Sequence, residues 1–425
     1  MREMKDSGVP WIGKIPQDWY LTQLKHCVWC LDGKRVPVDA SLREVGPYPY
    51  WGAGSITDWV NSYLFDEELV LLGEDGAPFF DPFRPVAHLV TGKIWVNNHI
   101  HVLKPKDKVD SGFLVYWLNI VDFHDYINGS ILSKLTQSNM DTIRVSLPPI
   151  IEQQRIVRIL DSECRKIDFI LEKTRVSIED YKALKLAVIT EAVTIGIRRN
   201  RSMKESGDEW IGEIPAEWKL ARIKSVCSKI SDGTHFSPET VDEGFPYITA
   251  KDVRGIGLNY EAASKISAQS FESLVKAGCQ PVEEDVLLVK DGATTGRVGF
   301  VDSNEPCVLL SSVAMLHTNE RMKPLFLYYL LQSTIVQEQI KVSMAGSAMP
   351  RITLSKIVDF LMVMPPVHEQ CEIISYLDEK CAAIDALISS KTALVFELET
   401  YKKSIIYEYV TGKKEMSVQE DGMAC

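Results

Sequence analysis

Leu147 to Asp168 reads LPPIIEQQRIVRILDSECRKID, and Met364 to Asp385 reads MPPVHEQCEIISYLDEKCAAID, at a constant offset of 217 positions. A chain that writes such a stretch twice is a tandem duplication. Two prolines suit the first turn of a helix, where a missing N–H costs nothing, and the Glu behind them favours the helix N-terminus. Beyond them Ile156, Leu160, Ile167, Ile170, Tyr181, Leu184 and Val188 fall at a/d spacing, with Glu163, Thr174 and Ser177 as gaps. The second copy supplies Ile373, Leu377, Ile384, Leu387, Leu394, Leu398, Tyr401 and Ile405, with gaps at Lys380 and Lys391. So narrow a stripe is a coiled-coil seam. A helix of roughly 40 residues is about 60 Å long, too long to bury its stripe on one ordinary domain. Its simplest partner is its own duplicate, laid antiparallel and related by a pseudo-twofold axis. The alternative is two unrelated surface helices.

A second repeat lies upstream. MKDSGVPWIGKIPQDWYLTQLK (Met4 to Lys25) returns as MKESGDEWIGEIPAEWKLARIK (Met203 to Lys224), 199 positions on, with 12 of 22 residues identical. The offset of 217 also pairs Gly129-Ser130 with Gly346-Ser347, Thr136 with Thr353, and Val193-Thr194 with Val410-Thr411. The repeating unit is therefore a globular segment followed by a helix, and the second globular segment is about 18 residues longer. The expected layout is a first globular domain at 1–146, a helix at 147–200, a second domain at 201–363, a second helix at 364–413 and a flexible tail at 414–425.

The globular segments change period. YPYWGAGSITDWVNSYLF, ELVLLGEDGAPFF and GKIWVNNHIHVLKP alternate apolar stretches with Gly, Pro and Asp, and FPYITAKDV, EDVLLVKDGATTGRVGFVD and CVLLSSVAMLHT answer them. Short strands between turns predict an α+β fold with curved β-sheets. Tyr50 pairs with Tyr247, and Asp75-Gly76-Ala77 with Asp291-Gly292-Ala293, so one fold occupies both sites. The two globular segments differ far more than the helices do. Similar frames with unlike surfaces suggest two readers of different targets.

Composition restricts the chemistry. The 425 residues are 45% hydrophobic and 25% charged with no apolar run of about 18, and the N-terminus is polar from Arg2 onward. A cytoplasmic protein without a membrane span is expected. Nine scattered cysteines fit reduced thiols. Cys27 and Cys30 lack the second pair that a zinc site requires, and His99 and His101 lack an obvious ligand set beside them. DGATTGRV (Asp291 to Val298) lacks the Lys-Ser/Thr of a phosphate loop. Leu147 and Met364 precede the Pro-Pro pairs where an amino-methyltransferase needs a hydrogen-bonding residue, and FDPF (Phe80 to Phe83) comes without a glycine-rich cofactor loop. The net charge of −11 divides into −4 for 1–146, +2 for 147–200, −4 for 201–363 and −5 for the rest. Nucleic acid held by such a chain must be gripped locally, with partners supplying much of the phosphate contact.

The ordered, duplicated set closely resembles the specificity (S) subunit of type I restriction-modification systems, over essentially the full length. It comprises WIGKIPQDW and WIGEIPAEW at the domain starts, SDGTHFSP (Ser231 to Pro238), LLVKDGATTGRVG, PP..EQ..I...LD at both helices, and EAVT and EYVTG at their ends. The resemblance implies two target-recognition domains, each reading one half of a split double-stranded DNA site, with the helices as a rod that sets the gap. It implies docking of two modification subunits, which are adenine-N6 methyltransferases, and of two restriction subunits, which are translocase-nucleases. The chain itself would bind without catalysing and hold no cofactor, with S-adenosylmethionine, ATP and Mg on the partners. Unlike readers imply an asymmetric target. Methylation requires the adenine to be flipped out while the reader holds the deformed duplex.

Base readout needs donors and acceptors in the major groove. For the second domain the expected contacts are Thr234 and His235 of the DGTH turn, Lys251, Arg254, Lys290, Thr294, Thr295, Arg297 and Arg351. For the first they are Lys34, Arg35, Trp51, Ser55 and Lys134, the last pairing with Arg351. DGKR (Asp32 to Arg35) replaces DGTH there, so its readout does not carry over. Two rivals stand beside this reading. A single-chain modification enzyme would need a cofactor loop, and a coiled-coil adaptor without a DNA role would leave the divergence of the domains unexplained.

Overall fold

The computed structural model describes residues 2–127, 133–344 and 350–415. Gly129-Ser130, Gly346-Ser347 and the segment after Met416 lie outside the described residues. The chain divides into two compact units, Met1–Val176 with Lys391–Cys425, and Ser177–Ser390. Two long helices, α1 (Ile150–Thr194) and α2 (Val367–Val410), contribute to both units.

Each globular part carries two four-stranded sheets of matching design. In the first unit Val28–Cys30, Ile100–Pro105, Leu69–Gly73 and Ala87–Val90 lie in that order, all antiparallel. In the second, Cys227–Asp232, Val313–Thr318, Val286–Val289 and Val298–Phe300 repeat it. The central strands Leu69–Gly73 and Val286–Val289 are buried throughout, as their uninterrupted apolar runs require. The other sheet of each unit contains one parallel pair, Tyr50 opposite Trp95 and Tyr247 opposite Val308. The matched tyrosines thus occupy matched positions.

Within each unit a segment of α1 lies against a segment of α2. In the first, Ile156 and Leu160 share a core with Ile405 and Tyr409, Asp168 meets Lys402 at 2.7 Å, and Arg175 meets Glu399. Position falls along one helix as it rises along the other, so the pair is antiparallel. In the second unit Lys185 meets Asp385 at 2.6 Å, which is the duplicate of the Asp168–Lys402 pair.

The seam begins as expected and then changes phase. Ile156, Leu160, Ile167, Ile373, Leu377, Ile384 and Ile405 are buried, and Val188 and Leu398 half-buried, but Ile170, Leu184, Leu387 and Leu394 are exposed. The residues turned inward are Cys164, Leu171 and Thr174 on α1 and Cys381 on α2, with Ile388 and Val395 half-buried. Two four-residue steps in a row, Ile156 to Leu160 to Cys164, insert a stutter into the heptad, and Ile373 to Leu377 to Cys381 repeats it. A stutter absorbs the mismatch between 3.5 and 3.6 residues per turn. A strict heptad frame carried past Leu160 therefore keeps Ile167 and Thr174 but puts Glu163 and Ile170 where Cys164 and Leu171 are the buried residues.

The Glu-Gln pair explains why the PP..EQ signature recurs. Gln153 Oε1 accepts from the Asp110 amide (2.8 Å), while its Nε2 donates to the carbonyls of Lys108 (3.0 Å) and Pro148 (2.8 Å). Gln370 repeats this with the Lys323 amide (2.7 Å) and the carbonyls of Arg321 and Pro365 (both 2.9 Å). Both side chains are fully buried, and each joins the helix start to the loop ahead of the preceding helix. The neighbouring carboxylates take the arginines that open each copy. Arg2 bridges Glu152 and Asp18, and Arg201 bridges Glu369 and Glu217. The second clamp is the drier one, with Glu369 only 1% exposed against 16% for Glu152. Trp218 Nε1 also donates to Glu369 at 2.8 Å, whereas the matched Trp19 Nε1 has no hydrogen-bond partner among the described residues.

Removing one member of a buried ion pair strands the other, at a cost of about 3–5 kcal/mol, whereas half-exposed pairs are worth about 1 kcal/mol or less. Glu369→Ala is therefore expected to destabilise the second unit several times more than Glu152→Ala destabilises the first, in calorimetric or denaturant unfolding. The phase of the seam is checked in the same assay. Leu171→Ala is expected to cost about 2–5 kcal/mol, and Ile170→Gln within about 0.5 kcal/mol.

Candidate nucleic-acid interface

The matched turns DGKR and DGTH leave the edge strand of each antiparallel sheet and meet the DGA turn of the central strand. In the first unit they meet through an ionic cluster of half-buried groups around the buried His101. Asp32 Oδ2 lies 2.6 Å from His101 Nδ1, His101 Nε2 donates to the Leu135 carbonyl at 2.9 Å, and Asp32 Oδ1 accepts from the Val102 amide at 2.8 Å. Arg35 Nη1 pairs with Glu74 at 2.6 Å and donates to the Ile100 carbonyl at 2.9 Å. Burial pushes the Asp32 carboxyl up, but His101, the Val102 amide and Arg35 outweigh it and hold the carboxyl below its ordinary value. Asp32, Glu74 and His101 present their atoms within 4.8 Å of one another, as a metal set would. The Arg35 guanidinium reaches both carboxylates, and Lys134 Nζ lies 3.4 Å from Glu74, so the set is already paired with the protein's own cations.

The second unit exchanges a charge at the same place. Lys290 stands where Glu74 does, is buried, and points its ammonium at Asp232 (3.2 Å) and Asp291 (3.7 Å). Thr234 is buried as well, its hydroxyl donating to the Phe236 carbonyl at 2.9 Å. These two residues, expected among the DNA contacts, hold the turn from beneath, and the exposed side chains beside them are His235 and Phe236. Arg351 is exposed with its Nε 3.2 Å from Asp291, and Lys134 repeats this with Asp75 at 3.1 Å. The backbone bridges Asp75 to Lys134 and Asp291 to Arg351 match as well.

The remaining expected contacts divide between the units. In the first, Lys34 and Ser55 are exposed, Arg35 is bound into the cluster, and Trp51 is half-buried with its ring 5.2 Å from His88. In the second, Lys251, Arg254, Thr294 and Arg297 line one groove of about 940 Å3, while Thr295 turns its hydroxyl onto the Gly292 carbonyl at 2.7 Å. Sequence reasoning missed Asp32, Glu74 and His101, which act through neighbours distant in the chain. It also missed Lys185, which the helix brings to the groove. The pairing of Lys185 with Lys402 at the offset of 217 was the available signal.

Two unlike sets of loops on one repeated frame define a recognition protein. The chain belongs to the family described as the type I restriction modification DNA specificity domain, which matches it twice, over residues 16–179 and 215–394. It is a specificity subunit, the recognition component of its system and not the enzyme. Among similar proteins are a putative type I restriction enzyme specificity subunit of Haemophilus influenzae, 25% identical over 82% of this chain and 84% of the relative. The MjaVIII specificity subunit of Methanocaldococcus jannaschii is 23% identical over 94% of each chain. A solved chain from work on complex assembly and conformational transition of the type I R-M system shares the fold, with a TM-score of 0.65, 16% identity, and coverage of 94% of this chain and 99% of that one. No helix among the described residues is long and apolar enough to cross a membrane.

The ionic cluster has a pH signature. A carboxyl held below its ordinary value contributes stability that is present above the unfolded value of about 3.9 and is lost as pH falls through the folded one. The stability advantage of the wild-type first unit over Asp32→Asn is therefore expected to be full at pH 5 and above and to fade below about pH 4, read by thermal melts across that range.

Proposed function

We propose that each globular domain reads one half of a bipartite, asymmetric double-stranded DNA site, and that the helix pair fixes the gap between the halves. Methyltransferase subunits dock on this frame, two to a complex, and two translocase-nuclease subunits add the restricting activity. S-adenosylmethionine, ATP and Mg serve those partners. The carrying observation is the charge exchange at the base of the reading turns. Glu74 with Arg35 in one unit and Lys290 with Asp232 in the other support differently charged loops from the same strands. Conserved docking with altered loops is how two readers come to recognise unlike sequences. Direct readout is assigned to the exposed His235, Arg351, Lys34, Ser55 and Lys134, side chains that carry hydrogen-bond donors.

The test is to co-express the chain with its methyltransferase partner and map methylated adenines by single-molecule sequencing. A split motif of two short, unlike half-sites is expected. Arg351→Ala and His235→Ala are expected to relax or lose one half of the motif and leave the other intact. Absence of methylation by a well-formed complex would favour the adaptor role instead.

A further inference from the structure

The two units offer the same groove, between the turn after the DGA motif and the long helices, in opposite states. Its position is fixed by matched residues. Tyr116 donates to Asp161 at 2.7 Å in one unit and Tyr329 to Asp378 at 2.6 Å in the other, with Asn119 matched by Gln332 and Lys402 by Lys185. In the first unit nine residues separate Ala77 from the strand at Ala87, and they carry an aromatic loop whose Phe83 packs edge-on against Phe396 of α2, 5.6 Å between ring centres. In the second only four residues separate Ala293 from Val298. The cavity is about 300 Å3 in the first and about 940 Å3 in the second.

The charges differ as well. The filled groove sets four cations, Arg84, Arg175, Lys402 and Lys403, against two carboxylates, with Lys402 paired to Asp168 and Arg175 to Glu399. The open groove is lined by Lys185, Lys251, Arg254 and Arg297 and, among the described residues, by no carboxylate. Lys185 is answered by Asp385, but Lys251, Arg254 and Arg297 are exposed and have no carboxylate partner among the described residues. The turn that presents Arg297 is rigid. Gly296 takes a φ of +95°, its carbonyl accepts from Gln337 Nε2 at 2.9 Å, and the Arg297 amide donates to the Thr294 carbonyl at 3.0 Å. Three unneutralised cations gathered in one groove of a chain with a net charge of −11 repel one another. Such a groove is complementary to a polyanion.

We infer that this groove grips backbone phosphates of the duplex next to the second half-site, through Lys251, Arg254 and Arg297, and that the first unit has no equivalent grip. The inference rests on the DNA-reading function proposed above and adds a division within it. The groove positions the duplex without reading its sequence, so phosphate anchoring is lopsided between two otherwise matched domains.

The test uses the complex with the methyltransferase partner, carrying Lys251→Gln, Arg254→Gln and Arg297→Gln together. Its affinity for a duplex of random sequence is titrated across a salt series, its methylated motif is mapped, and its size is measured by light scattering. Each lost phosphate contact lowers the slope of log K against log salt by about one. A total fall of about three is expected, with motif and assembly unchanged. Arg297→Lys, which keeps the charge, should keep the wild-type slope, and Arg84→Gln with Lys403→Gln in the filled groove should leave it nearly unaltered. An unchanged slope in the triple variant would overturn the inference. A changed motif would also overturn it by making the groove a base reader, and a lost assembly by making it a seat for an acidic protein face. Failure of the wild-type complex to methylate a split motif would count against the DNA-reading function, whatever the slope of the variant.

Discussion

The buried seam between the two long helices is the constraint from which the rest follows. A helix of 45 residues carries an apolar stripe that no single sheet domain can cover, and here each stretch of it is covered by the copy that duplication supplied. The first unit is completed by the last turns of α2 and the second by the last turns of α1. Neither unit is made from one contiguous repeat. The dry faces of Ile156, Leu160, Ile405 and Tyr409 bind together residues some 250 positions apart, and the sheets stand on that base.

Onto this base the Glu-Gln pair fastens the globular part. A primary amide has two acceptor sites and two donors, and Gln153 and Gln370 each satisfy one acceptor site and both donor directions with backbone groups while fully buried. Any shorter or ionised side chain would leave a buried amide or carbonyl without a partner. This is a physical reason for one residue to stay fixed through a duplication while the loops drift. The reading turns, by contrast, rest on ionic pairs that tolerate exchange, as Glu74 and Lys290 show by meeting opposite charges in equivalent places.

Much of the architecture was legible because it was written twice. The offset of 217 located the two long helices, and the central strands announced themselves as apolar runs. The seam was legible in part: Ile167, Ile384 and Ile405 are buried as expected, but Ile170, Leu184, Leu387 and Leu394 are not, because a heptad frame has no memory of a stutter and Cys164 does not look like a seam residue. The site was harder to read. Lys290 is a basic residue in a glycine-rich turn, which on sequence alone is a contact. It turns inward because Asp232, 58 positions away, waits beneath it. Arg35 is likewise tied down by Glu74. Lys251, Arg254, Thr294 and Arg297 were named among the expected contacts, but the groove that unites them depends on the brevity of one turn, a property visible only beside its longer counterpart.

In the second unit the chain leaves α1, turns at Gly196 beside Trp218, and reaches the first strand through Arg201 on Glu369. In the first unit Gly412 turns beside Trp19 and Pro16, Arg2 sits on Glu152, and the Arg2 amide lies 2.5 Å from Glu415. The junction is the same object, made once along the backbone and once purely through space. Packing and a charge pair suffice to form it, so peptide continuity at that corner is incidental. The side chains at the corner, and not the peptide link beneath them, therefore define the junction in each unit.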